Sequence, residues 1–149
     1  MMQHSVQNGN DGEFFKILQE MQVKIIAMDT EGNPNMSAVS IAFKKEDKFH
    51  VGMFLCKKDR DCMKHMLNLL KNKDIVKIFC DDTARQDIRR LNKHFKSDET
   101  FAKYWEIITH NKLREGFYDD IVNIQDMMQC MFGVNDGCGL CHAVSLAFG

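Results

Sequence analysis

A mixed α/β domain is the fold class this sequence predicts: a three-stranded antiparallel meander, then alternating helices and strands, with helices flanking the sheet. Three observations predict it. Apolar and polar residues alternate over residues 36–54, the period lengthens to that of a helix after residue 60, and an apolar run at 25–28 ends abruptly in two carboxylates, Asp29 and Glu31. Side chains alternate across a strand and recur every 3.6 residues along a helix, so the two periods separate the element types. Three strands followed by helix–strand–helix–strand–helix need helices over the sheet to bury its apolar faces.

Residues 1–12 are polar and lack an apolar signal-peptide core, which predicts a flexible arm ahead of a domain over 13–149. Residues 13–22 place Phe14, Phe15, Leu18 and Met21 at helical spacing. A strand over 24–29 follows, and the turn cluster Gly32, Asn33, Pro34 and Asn35 ends it. Segments 36–43 and 48–54 flank a charged turn as a β-hairpin would. Residues 61–72 form a helix with Met63, Met66, Leu67 and Leu70 inward, and 74–80 a buried strand. Residues 84–95 return to a helix, with Ile88, Leu91 and Phe95 inward and arginines outward. Beyond it, 101–109 reads as a helix anchored by Trp105, 117–122 as a short strand and 123–132 as a helix. Residues 133–139 read as a loop and 140–148 as a last helix.

The 149 residues suit one domain with a hydrophobic core, and 44% apolar with 28% charged residues is ordinary for a soluble protein. Net charge is −1, yet residues 57–96 carry +6 and the remainder −7. A basic middle beside an acidic remainder fits a phosphate-facing surface next to a metal-holding face, or a plain alternation of helix surfaces. No apolar stretch approaches the ~20 residues of a membrane span. A cytoplasmic or nuclear setting is expected, with the six cysteines as free thiols.

The chemistry concentrates at Asp29 and Glu31. Residues i and i+2 share a strand face, so the two carboxylates project side by side. Adjacent anions repel and are costly to desolvate without a cation, which a hard divalent ion with oxygen ligands supplies. The alternative is two carboxylates solvated at the strand's exit. Asp87, in the first turn of its helix, is a third acidic candidate, or simply first-turn capping chemistry.

These segments resemble, in order, the motifs of the DEDD-type 3′–5′ exonucleases of the RNase H-like superfamily, nearest to ribonuclease D, Werner-exonuclease and Egalitarian-like domains. AMDTEG (27–32) is similar to the first motif. KIFCDDTARQDIRRL (77–91) is similar to the second, with Asp87 and Leu91 at its Asp-x-x-x-Leu positions. GFYDDIVNIQDMM (116–128) and GLCHAVSLAFG (139–149) resemble the later strand and the segment after it. The resemblance implies an RNase H-like mixed sheet and Mg²⁺ or Mn²⁺ held by Asp29, Glu31 and Asp87, which would also be the catalytic carboxylates. It implies nucleic-acid contacts from Thr30 and Gly32 beside them.

The family's third motif, a helix with Tyr or His ahead of a fourth metal-binding Asp, would follow Gly149, and no Tyr-x-x-x-Asp follows Asp87. The expectation is therefore a C-terminally truncated exonuclease-type domain, a pseudo-nuclease that binds RNA as an adaptor in RNA processing. Loss of a carboxylate ligand and of the water-orienting residue would cost ~10³-fold or more in rate. One rival is an active exonuclease completed by Asp82, Asp119, Asp120, another subunit or further residues. Another is a protein-interaction scaffold that binds no nucleic acid. An incomplete C-terminal edge would favour a homodimer or a protein partner.

Arg85, Arg89, Arg90 and Lys93 are candidate phosphate contacts for single-stranded RNA or DNA, as are Lys57, Lys58, Arg60 and Lys64; a solvated helix face is the alternative. Phe101, Trp105 and Phe132 suit base stacking or core packing. Cys138, Cys141 and His142 match the haem-attachment spacing formally, and with Cys130 are a candidate zinc set, against chance at a helix start. Cys56, Cys62 and Cys80 read as small core residues.

Overall fold

The computed structural model describes residues 3–8, 12–80, 86–99, 101, 117, 118, 120–125 and 133, and these contain seven strands and three helices. The chain divides into two units, Met1–Lys77 and Ile78–Gly149.

In the first unit, β2 (Ile25–Glu31), β3 (Ala38–Lys45) and β4 (Lys48–Leu55) form the predicted antiparallel meander. Its register places Asp29 opposite Ser40 and Glu31 opposite Ala38, with Met53 and Leu55 next along the same two rows. Glu46 and Asp47 close the β3–β4 turn with φ of 53° and 60°, the paired positive values of a type I′ turn. The edge of β2 continues to β5 (Val76–Phe79), where the Val76 N–H donates to the Lys24 carbonyl at 2.8 Å. Strand order in this unit is β1-β4-β3-β2-β5.

One face of the meander is packed. Ile26, Met28 and Thr30 of β2, Val39, Ile41 and Phe43 of β3, and Phe54 of β4 are buried. Helix α1 (Glu13–Glu20) lays Phe14 against Phe43 and Phe54, at centroid separations of 5.4 and 5.6 Å, and Phe15 against Phe54 at 5.0 Å. Gly52 makes room for this cluster: a Cβ there would lie 2.8 Å from the Phe54 ring and 3.0 Å from that of Phe14. Helix α2 (Arg60–Lys71) buries Cys62, Met63, Met66, Leu69 and Leu70, and its His65 stacks on Phe15. Leu69 takes the inward place expected for Leu67, because the buried stripe is broad enough to include neighbouring residues.

Residues Gln3–Asn8 lie within the segment expected as an N-terminal arm. They form β1, parallel to β4, with Gln3 opposite Lys48 and Asn8 opposite Met53. A meander leaves β4 as an edge with unpaired N–H and C=O groups, which a polar segment satisfies as well as an apolar one. The strand expected at 24–29 runs instead through Glu31, so both carboxylates sit on the strand itself.

In the second unit, α3 (Gln86–His94) buries Asp87, Ile88 and Leu91. Phe95 and Phe101 meet edge-to-face at 5.6 Å, and the Asp98 carboxylate accepts the Phe101 N–H at 2.8 Å, as an N-cap does. The strand expected at 117–122 is a hairpin of β6 (Phe117–Tyr118) and β7 (Ile121–Asn123), with Asp120 in its turn. In it Phe117 stands opposite Val122 and Tyr118 opposite Ile121. Trp105, Phe132, Cys130, Cys138, Cys141 and His142, and most of the helices expected at 101–109, 123–132 and 140–148, lie outside the described residues.

Candidate metal centre and nucleic-acid interface

Strand geometry assigns the two carboxylates their places. β2 alternates strictly, with Ile26, Met28 and Thr30 buried and Ile25, Ala27, Asp29 and Glu31 exposed. Asp29 and Glu31 therefore share the open face, and Thr30 between them faces the core. Their cross-strand neighbours, Ser40 and Ala38, are small, so the space over β3 beside the carboxylates is open.

The turn after Glu31 is tight. The Ser37 N–H donates to the Glu31 carbonyl at 2.7 Å, and the Ser37 hydroxyl donates to the same oxygen at 3.2 Å. Gly32 holds φ at 137°, and a Cβ there would fall 1.9 Å from the Asn35 carbonyl oxygen. Only glycine fits, so the Gly of AMDTEG has a backbone reason that stands whatever its contact with a ligand.

Asp87 lies in the first turn of α3, where a carboxylate is favoured by the helix dipole. It is buried, and Arg90 Nη1 lies 3.6 Å from its Oδ1. Arg90 also donates through Nη2 to Gln86 Oε1 at 3.1 Å. Arg90 is thus engaged along its own helix, whereas Arg89 and Lys93 are exposed on it. Arg85 lies outside the described residues, as do Asp82 and Asp119; Asp120 is buried at the β6–β7 turn. His94 and Asp98 have a formal His-x-x-x-Asp spacing. Asp98 is occupied with capping Phe101.

Among the described residues no group of three or more His, Cys, Asp and Glu side chains converges on one point. What the first unit offers a metal is a pair of exposed, hard oxygen donors on one strand face. That donor set fits Mg²⁺, which commonly takes one or two carboxylates and completes its shell with water and phosphate oxygens. Cys56 and Cys62 are buried, as expected of core thiols, and burial pushes the Cys56 pKa up. Cys80 is half-buried, with the Gln125 amide 3.9 Å from its sulfur. Asp59, at the start of α2, is a buried polar residue that no sequence motif singled out. Among the described residues no helix is long and apolar enough to cross a membrane.

A mixed sheet with an antiparallel meander, flanked by helices and carrying an acidic pair on its second strand, is the 3′–5′ exonuclease-type, RNase H-like fold. One solved structure bears out the fold: the EXO domain of Nibbler from Aedes aegypti matches 89% of this chain with a TM-score of 0.52 at 16% identity. RNase D from Trypanosoma brucei, in complex with RNA U12, matches 61% of the chain at 20% identity and a TM-score of 0.46. The catalytic core of RRP6 from Trypanosoma brucei matches 62% at 22% identity and 0.46. The chain spans 58%, 34% and 26% of those three chains respectively. No family model matches the sequence, and no curated protein matches it.

Proposed function

We propose that residues 13–149 bind the 3′ end of single-stranded nucleic acid, RNA foremost, as a 3′–5′ exonuclease-like domain whose catalytic set is impaired and which serves as an adaptor in RNA processing. The observation that carries the reading is the pair Asp29 and Glu31, side by side on the open face of β2 in a chain with the exonuclease fold. Asp29 and Glu31 would hold Mg²⁺ or Mn²⁺, with Asp87 as third ligand, and a bound divalent ion there supplies charge neutralisation at a phosphate oxygen.

The chain's own groups account for the rest. Thr30 is buried between the two carboxylates, and Gly32 turns the backbone away immediately after Glu31. Arg89 and Lys93 on α3 are the exposed cations for backbone phosphates; Arg85 and Arg90 belong to the same proposed contact set. RNA over DNA rests on the resemblance of AMDTEG and its companions to the Egalitarian-like branch.

The test is fluorescence anisotropy with a labelled single-stranded RNA, with Mg²⁺ and with chelator, followed by electrophoresis of the same samples. Binding is expected to weaken with salt and to tighten with Mg²⁺, and the Mg²⁺ effect is expected to vanish in Asp29→Ala. Each phosphate contact adds about 0.7 to the logarithmic salt slope of single-strand binding, so neutralising Arg89 and Lys93 should lower it by about 1.4. Absence of binding overturns the proposal. Shortening of the strand from its 3′ end, lost in Asp29→Ala, overturns the impairment and leaves an active exonuclease.

A further inference from the structure

We infer that the trough beside the Asp29–Glu31 pair is a nucleobase subsite, in which Asp59 selects a base that presents an amino group. The inference rests on the proposed binding of a 3′ end and names what that same site would recognise.

On the open face the rows Glu31–Ala38–Leu55 and Asp29–Ser40–Met53 run across three strands. Ala38 and Ser40 are too small to fill the middle, while Met53 and Leu55 stand exposed at 51% and 52%. A cavity of about 240 Å³ results, lined by Ala38, Ser40, Met53, Leu55, Lys58 and Asp59. β4 lies two strand spacings, roughly 10 Å, from the carboxylates of β2. A single nucleotide spans that separation with its phosphate at one end and its base at the other.

Asp59 gives the cavity its chemistry. It is only 6% exposed, and its Oδ2 accepts the Leu55 N–H at 2.7 Å. Its Oδ1 is buried with no hydrogen-bond partner among the described residues, and the side chain makes no capping bond to α2. A buried acceptor without a donor is unfavourable until a donor reaches it. A planar ring with apolar faces suits Met53 and Leu55, and an amino group on its edge suits Asp59. Guanine, adenine and cytosine carry such a group. Uracil offers one N–H between two carbonyls, which a carboxylate repels.

The experiment compares the full chain's affinity for two single-stranded RNAs that differ only in ending with G or with U, by anisotropy. The G-ended strand is expected to bind about tenfold tighter, the factor that one hydrogen bond to a charged acceptor supplies. Asp59→Asn keeps the side-chain volume and an acceptor for Leu55, but turns the second oxygen into a donor. It should erase or invert the preference while the U-ended strand binds as before. Should Asp59→Asn fail to fold, Ser40→Leu fills the trough from β3 and should erase the preference equally. Equal affinities for the two strands in the unaltered chain overturn the subsite and leave 3′-end binding standing. Binding of neither strand overturns both readings.

Discussion

The two faces of the β2–β3–β4 meander use the same strands for opposite purposes. One face carries Ile26, Met28, Val39, Ile41, Phe43 and Phe54, closed over by the phenylalanines of α1. The other carries Asp29 and Glu31 with Ile25 at 56% exposure, and Met53 and Leu55 left open beside them. Period-two alternation sorts every residue to one face or the other, so stability and chemistry are assigned by register alone. The packed face needs volume and shape. The open face needs only that small residues, Ala38 and Ser40, keep clear of the carboxylates.

That division predicts a graded set of substitutions. The largest loss is expected from Phe54→Ala, which removes the ring that touches both Phe14 and Phe15: about 3–5 kcal/mol in denaturant unfolding. Gly32→Ala strikes the turn joining the faces, where a Cβ meets the Asn35 carbonyl, and should cost about 1–3 kcal/mol. Its effect on RNA affinity should exceed its effect on stability if the turn positions Glu31. An effect on stability alone would confine Gly32 to the backbone.

A smaller effect comes from acid. His50 is buried and stacked on Phe43 at 4.7 Å; burial, and then the neighbouring Lys48 charge, hold its pKa below the usual value near 6.5. Burial lowers the pKa of His94 likewise. The unfolded chain then takes up these protons more readily, so their contribution is complete above about pH 6.5 and is lost as pH falls toward the folded-state values. Thermal midpoints should therefore drop between pH 7.5 and 5.5, and His50→Phe should flatten part of that slope. A profile unchanged by His50→Phe would remove His50 as a source. Smallest of all, Met53→Ser on the open face should shift stability by no more than about 0.5 kcal/mol. A loss like that of Phe54→Ala would mean that the two faces are not divided as described.

Much of the frame was legible because it is written in short-range pattern. The meander, the helix bearing Asp87 and the turn at Gly32 each follow from spacing within a dozen residues. The hairpin over 117–123 read as one strand because its two halves are only two and three residues long. Arg90 read as an outward cation, yet Asp87 three residues earlier draws it in, an i,i+3 neighbour on the helix surface.

By itself, then, the sequence determined the order of elements and the pairing of Asp29 with Glu31, since both depend on the fixed repeats of strand and helix. Tertiary structure alone decided that Gln3–Asn8 lies along β4 and that Asp59 is buried beside a trough of small residues. Those facts arise from contacts between segments distant in the chain. Such contacts leave no periodic signal in either partner, and their free energy appears only when the partners meet.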